Sequence, residues 1–294
     1  MLMPKSTDRL TTAYCKSAGV RLAHVEVTES ARALERSHLS GPTAGLALAD
    51  GLAAVALLGM DLTRKDEAVS LRMSLDGPIQ GLLVEASFDG CLRGYTQVKV
   101  LNDFDGRDPI PLEEALGSRA SVQIIRSVPG ELLERSSFET VPATAQSAIR
   151  TYLNSSQQRA ALSLVSSESY GGYIDQSRGV LAERMPDGDP LAFERLRSRF
   201  DDGTALDALN SAASLEDWAK EVGLGDLVNV ETRPLRFGCR CSRERAMATL
   251  AALSDVERRA LAEEKPTVTI FCHMCGASYE VPVFPADGVG DSAK

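Results

Sequence analysis

Four of the chain's six cysteines fall in two tight pairs near its C-terminal end, Cys239 and Cys241 in "FGCRCSRERA" and Cys272 and Cys275 in "IFCHMCGASY". Thiols grouped in this way are held together by a metal, by disulfides, or by one state followed by the other. Zinc(II) takes four tetrahedral sulfur or nitrogen ligands, and closely spaced cysteines supply two of them from one loop. Between the pairs, "RERAMATLAAL" reads as a helix, and Ser254 with Glu257 carries a capping-box signature for a second, which Lys265 and Pro266 stop. "TVTIF" and "ASYEVPVF" flank the second pair as two strands with the C-x-x-C between them. A module this small has a thin core. Zinc contributes about 10–16 kcal/mol in finger peptides, against about 5–15 kcal/mol for the stability of a typical domain, so loss of the metal should unfold it.

The one-residue gap between Cys239 and Cys241 makes both a chelate ring and a disulfide tight, which leaves a constitutive zinc ribbon and a redox switch both open. Arg236, Arg240, Arg243 and Arg245 stand beside the first pair, where they can offset the negative charge of four thiolates on one dication; a solvated basic face is the plainer account. His273 lies inside the second pair, but four cysteines already fill the shell. Cys15 and Cys91 have no partner in sequence and read as buried, inert thiols.

At 294 residues the chain has room for two compact units, and 44% apolar with 25% charged residues is the composition of a folded, water-soluble protein. A net charge of −9 argues against nucleic acid or an anionic membrane as the main partner. The start, "MLMPKSTDRLTTAY", lacks the apolar core and cleavage pattern of a secretory signal, so a cytoplasmic protein is expected. There, clustered cysteines are metal ligands or redox groups rather than permanent disulfides. The most apolar run, residues 43–59, falls short of the ~20 residues of a membrane span and carries Asp50 in its middle; it reads as a buried helix.

The fold class is α+β. Alternation at residues 69–75, in "GLLVEAS" and in "CLRGYTQVKV" predicts a meander of antiparallel strands, its alternation breaking around Gly94, with further strands in "ASVQIIRSV" and "AALSLVSSE" and a helix over 144–158. Beyond about residue 187 come short, charged segments with narrow apolar stripes such as Leu215, Trp218, Ala219 and Val222. Helices this short need docking to something larger. They form either a lid packed permanently on the core or a segment poised to come loose. The organisation expected is an N-terminal core of antiparallel sheet and helices over 1–187, a metastable helical linker over 188–235, a zinc-binding module over 236–285 and a disordered tail over 286–294.

"RFGCRCSRERA" followed by a C-x-x-C-G resembles the bacterial redox-regulated 33 kDa heat-shock chaperones, and the likeness extends to "SLDGPIQGLLVEASFDGCLRGY" and "IRTYLNSSQQ". "YGGYIDQSRGVLAERMP" is longer than the family's corresponding segment, and "LGSRASVQII" lacks its glycine cluster. The resemblance implies an ATP-independent holdase, inactive when reduced and zinc-bound, that releases zinc on oxidation, partly unfolds and binds unfolding client proteins. It implies one zinc per chain on Cys239, Cys241, Cys272 and Cys275, and oxidised pairs Cys239–Cys241 and Cys272–Cys275. A homodimer in the oxidised state is a family expectation too.

An enzyme is not indicated: G-x-G-x-x-G, P-loop and G-x-S-x-G motifs are missing, and His24, His38 and His273 are scattered. A thioredoxin-like oxidoreductase would place its C-x-x-C at a helix start, whereas glycine and a strand follow here. The best rival is a constitutive zinc ribbon binding nucleic acid through the arginines near Cys239, and the overall acidity argues against it.

Overall fold

Strands β1 (Arg9–Cys15) and β2 (Val20–Glu26) are the first elements of a computed structural model that describes residues 7–283. The tail expected at 286–294 lies outside the described residues. Helices α1 (Thr28–His38) and α2 (Pro42–Leu58) follow, then the expected meander of β3 (Ala68–Leu75), β4 (Gly81–Ser87) and β5 (Cys91–Thr96). A short helix, α3 (Leu112–Leu116), leads into the hairpin β6 (Ala120–Val128) and β7 (Glu131–Thr140). Next come α4 (Ala145–Thr151) and a second hairpin, β8 (Ala161–Tyr170) and β9 (Tyr173–Arg184). Helices α5 (Pro190–Asp201), α6 (Thr204–Ser211) and α7 (Leu215–Glu221), with strands β10 (Leu227–Pro234) and β11 (Arg236–Phe237), complete a first unit that ends at Gly238; a second begins at Cys239.

The first unit contains two sheets. One has the order β10-β1-β2-β9-β8 and is antiparallel throughout. The other runs β11-β5-β4-β3-β6-β7, antiparallel except for the β11–β5 pairing. Between them lies α2, against β4 and β5 on one side and β8 and β9 on the other. Only Pro42 and Asp50 of this helix escape burial, which is why it can be apolar all round. With its one-turn extension it is, among the described residues, the one helix long and apolar enough to cross a membrane by length alone, yet 89% of that window is buried inside the protein. Burial alternates strictly along β5, correcting the expected break, with Gly94 at an inward position where a Cβ would lie 2.5 Å from the Leu83 carbonyl oxygen and 2.7 Å from Val84 Cγ1.

The helix expected over 144–158 ends at Thr151 and gives way to a single wider turn over Tyr152–Ser156, where Tyr152 donates from its hydroxyl to Glu134 at 3.0 Å. The segment 188–235 is helical only in its first part. It closes in β10, whose β-branched Val228, Val230 and Thr232 favour a strand on the edge of β1. Cys15 is fully buried, but Cys91 corrects the expectation of an inert, enclosed thiol: it is half-exposed on β5, and its Sγ donates to the Asp89 carboxylate at 3.2 Å. The cause is position, since Cys91 opens β5 one residue beyond its last pairing with β4, Ala86 with Leu92.

Both faces of the five-stranded sheet are apolar. On β2, Ala23 and Val25 enter the core around α2, while Val20 and Leu22 join a second core under α5–α7. That core takes Phe193, Leu196, Leu209, Leu215, Trp218 and Val222 from the helices, including the whole predicted stripe of α7. Trp218 is fully enclosed, donates from Nε1 to the Ala205 carbonyl at 3.0 Å and meets Phe200 edge-on at 6.1 Å. Side-chain caps start two of the helices, Asp189 accepting from Leu191 N on α5 and Ser214 from Asp217 N on α7. At the far end of α6, Arg178 donates to the carbonyls of Leu209, Asn210 and Ala212, and Arg9 to that of Ala213.

His24 shares the face of β2 that carries Val20 and Leu22 and is buried with neither ring nitrogen hydrogen-bonded. Burial, assisted by the positive charges of Arg178 and Arg9, lowers its pKa from 6.5 to about 4. A depressed histidine favours the neutral form in the folded state, so its stabilising share is complete above the unfolded value of 6.5 and is lost as pH falls towards 4. The loss amounts to at most roughly 3 kcal/mol. Acid titration followed by Trp218 emission is expected to show red-shifted fluorescence, with the midpoint moving to lower pH in His24→Leu; an unmoved midpoint would remove His24 as the cause.

Candidate metal centre

The second unit begins with Cys239 and Cys241 on an irregular segment that Ser242 ends by capping α8 (Arg243–Ala251), accepting from Arg245 N at 3.3 Å. Helix α9 (Asp255–Glu264) starts at Ser254 with the predicted capping box to Glu257 formed in both directions. Strands β12 (Thr267–Phe271) and β13 (Ser278–Pro282) then pair as a hairpin whose turn carries Cys272 and Cys275. The turn is tied by Cys272 N to the Ala277 carbonyl (2.8 Å) and Gly276 N to the Cys272 carbonyl (2.8 Å). Gly276 sits at φ +73°, a left-handed conformation that glycine adopts without steric cost, which accounts for the glycine after the second pair.

These elements bring all four cysteines together, with their Sγ atoms within 4.8 Å of one another. Cys239 and Cys272 are 3.7 Å apart, and Cys241 and Cys275 3.4 Å. A zinc ion with Zn–S bonds of about 2.3 Å in a regular tetrahedron sets sulfurs about 3.8 Å apart, while a disulfide needs about 2.05 Å. The spacing therefore suits four sulfurs around one ion. His273, though inside the second pair, is not part of the ligand group.

Burial pushes up the thiols of Cys272 and Cys275, and sulfurs of the opposite arm push the same way. Four sulfurs this close cannot all be thiolates unless a cation sits among them. Sequence reasoning missed Tyr279, whose hydroxyl lies 3.0 Å from Cys241 Sγ and is pushed up to about 12, first by that hydrogen bond. The signal was its place on the strand leaving the turn, in register with Ile270. Three of the four arginines beside the first pair make hydrogen bonds to oxygen acceptors of their own. Arg236 reaches the Asp89 carbonyl and carboxylate, Arg243 the Glu280 carbonyl and Arg245 the Arg240 carbonyl.

Apart from the cluster this unit holds little together. Among its described residues the buried hydrophobics are Ala246, Cys275, Val281 and Val283, and α9 buries none. Zinc titration of the reduced protein is expected to saturate at one ion per chain, with protons released and affinity falling as pH falls. Each Cys→Ser variant at the four positions should weaken binding by more than the ~10–100-fold typical of losing an outer partner, and Tyr279→Phe by an amount within that range. Equal zinc retention in the four serine variants would dismiss the assignment.

The sequence profile of the family described as Hsp33 protein matches residues 8–282 of the chain. A 33 kDa chaperonin of Microcystis aeruginosa is 30% identical over 292 residues, covering 92% of this chain and 93% of that one. Another 33 kDa chaperonin, from Symbiobacterium thermophilum, is 29% identical over 278 residues, with 92% and 93% covered. The crystal structure of a 33 kDa chaperonin from Thermotoga maritima, described as a heat shock protein 33 homolog, superposes with a TM-score of 0.84 over 94% of this chain and 95% of that one, at 18% identity.

Proposed function

The chain belongs to the Hsp33 family, a family of chaperones, and on that premise we propose that it is a redox-regulated holdase working without ATP. The observation that supports this most is the pairing of a four-sulfur cluster with a unit that has almost no apolar core. Bound zinc would tie Cys239, Cys241, Cys272 and Cys275 together and hold them as thiolates. Under peroxide, each pair of thiolates gives up two electrons, one sulfur passing through a sulfenic acid before the other attacks it, and the two peroxide oxygens leave as water with two protons taken from solvent. The pairs proposed are Cys239–Cys241 and Cys272–Cys275, each of which removes two ligands at once. Disulfides that close such short loops restore little stability.

Unfolding then spreads along the chain. Cys239 is joined through Gly238 and β11 to β10, an edge strand whose pairing with β1 is interrupted between Thr12 and Tyr14 and most of whose residues are exposed. Peeling of β10 leaves α5–α7 held by their apolar stripes and arginine clamps alone. Helices of this length need docking, and segments of low stability open first. Their release uncovers Val20, Leu22 and Val180 on the sheet together with Phe193, Leu196 and Trp218 on the helices, an apolar surface suited to unfolding proteins.

This reading makes the protein non-catalytic and cytoplasmic, with homodimerisation in the oxidised state as a further expectation. A zinc ribbon for nucleic acid is disfavoured by the net charge of −9 and by the backbone duties of Arg236, Arg243 and Arg245. Hypochlorite or peroxide treatment is expected to release zinc, give the two within-arm disulfides by mass spectrometry and switch on aggregation suppression of a heat-unfolded client without nucleotide. Equal suppression by the reduced, zinc-loaded protein would end the switch reading. In the same experiment Trp218 emission should shift to the red; an unchanged signal while clients bind would confine unfolding to the second unit.

A further inference from the structure

Asp50 is the one charged residue in the apolar helix α2, and the thiol chemistry of the metal centre does not use it. Its Oδ1 is buried and has no hydrogen-bond partner. The neighbouring hydroxyls are committed elsewhere: Ser167 donates to Ser177 Oγ at 3.0 Å, and Ser177 donates to the Ala49 carbonyl at 3.1 Å. Leaving a carboxylate oxygen in that state is costly, and burial, outweighing the opposing influence of the nearby Ser167 hydroxyl, pushes the Asp50 carboxyl up to about 6.

The accessible part of Asp50 borders a cleft of about 720 Å³ between α2, α3, α4 and β8, within the ~300–1,000 Å³ of small-ligand sites. Leu46, Leu112 and Val165 supply apolar surface to a lining that also carries Thr144, Gln146 and Ser147. Glu113 and Glu114 on α3 add two exposed carboxylates, Glu114 being shared with Arg107 at 3.2 Å, and Arg150 is the one basic group on the lining. A cleft of mixed lining, with acid at its rim and Asp50 on its wall, matches a particular ligand: a cation on an aliphatic arm, long enough to pass the rim and pair with Asp50.

We propose that this cleft binds an ammonium or guanidinium group carried on an aliphatic chain, supplied by a lysine or arginine side chain of an extended peptide. The cation pairs with the Asp50 carboxylate where that side chain borders the cleft and keeps it ionised, the methylenes pack on Leu46, Leu112 and Val165, and Glu113 and Glu114 attract the charge from outside. The peptide source rests on the client-holding reading, whereas the cation site itself does not. Selection of basic residues flanked by apolar ones then comes from this cleft, separately from the apolar surface under α5–α7.

The test compares a labelled leucine- and valine-rich peptide carrying one central lysine with its norleucine counterpart, by fluorescence anisotropy on the oxidised full-length protein. The lysine peptide is expected to bind about tenfold tighter, the size of one charge-assisted hydrogen bond, and Asp50→Asn to abolish the difference while leaving the norleucine peptide unchanged. Should Asp50→Asn fold poorly by circular dichroism, Glu113→Gln with Glu114→Gln on the exposed face of α3 is expected to narrow the same ratio. Equal binding of both peptides by the wild type, or a ratio that survives these substitutions, overturns the proposal and leaves the holdase reading standing. Calorimetry with n-pentylammonium, against n-pentanol, separates the sources. Binding of this amine that depends on Asp50, without preference for the lysine peptide, overturns the peptide assignment in favour of a free amine. If no peptide binds and no aggregation is suppressed, the holdase reading fails and the peptide assignment with it; the amine alone then decides whether the cleft is a cation site.

Discussion

A β-sheet with apolar side chains on both faces has to be covered twice, and the sheet β10-β1-β2-β9-β8 meets that demand with two covers of unequal strength. On one side lies α2, a 17-residue helix buried almost throughout and pressed between two sheets. On the other lie α5, α6 and α7, of 12, 8 and 7 residues, no longer than the ~12–15 residues at which a helix becomes marginal on its own. Their hold is the apolar stripe plus four carbonyls gripped by Arg178 and Arg9. Those guanidinium groups also help to keep His24 neutral, so the clamp and the buried histidine beneath the cover are electrostatically linked.

The second unit is organised by a different force. Its hydrophobic burial is too small to supply much of the stability of a domain, and its order concentrates at four sulfurs, a tied turn and two capped helices. A structure resting on one polyvalent contact has a single point of failure, whereas the core around α2 spreads its stability over dozens of side chains. The contrast puts the sensitivity of the chain to thiol chemistry in one place.

Much of this was legible in the sequence. Cysteine spacing carried the cluster, the Ser254–Glu257 pair carried α9, and period-two alternation carried β3, β4 and β6. β2 was not visible in that way, because burial on both faces replaces alternation by a continuous apolar run around His24. The strand β10 was hidden by its setting among charged helical segments, and its partner β1 lies over two hundred residues away, where no local signal reaches. Tyr279 and the loneliness of Asp50 both depend on which side chains meet in space. Asp50 announced itself as a charge in an apolar run, but only the committed hydroxyls of Ser167 and Ser177 make it unsatisfied.

The pairing of β1 with β10 also orders events during synthesis. Thr11 faces Thr232, so the first strand made waits for nearly the last strand of the first unit before its outer edge is closed. A chain emerging from the ribosome at ~5–20 residues per second can form the β1–β2–β9–β8 part of the sheet while the edge of β1 still exposes unpaired backbone groups. That edge then stays open for the seconds needed to make α5–α7 and β10 and bring them clear of the exit tunnel. Thr11 and Tyr14 on β1, with Arg9 at its start, interrupt the apolar sequence of that edge and limit its appeal to other strands during the interval.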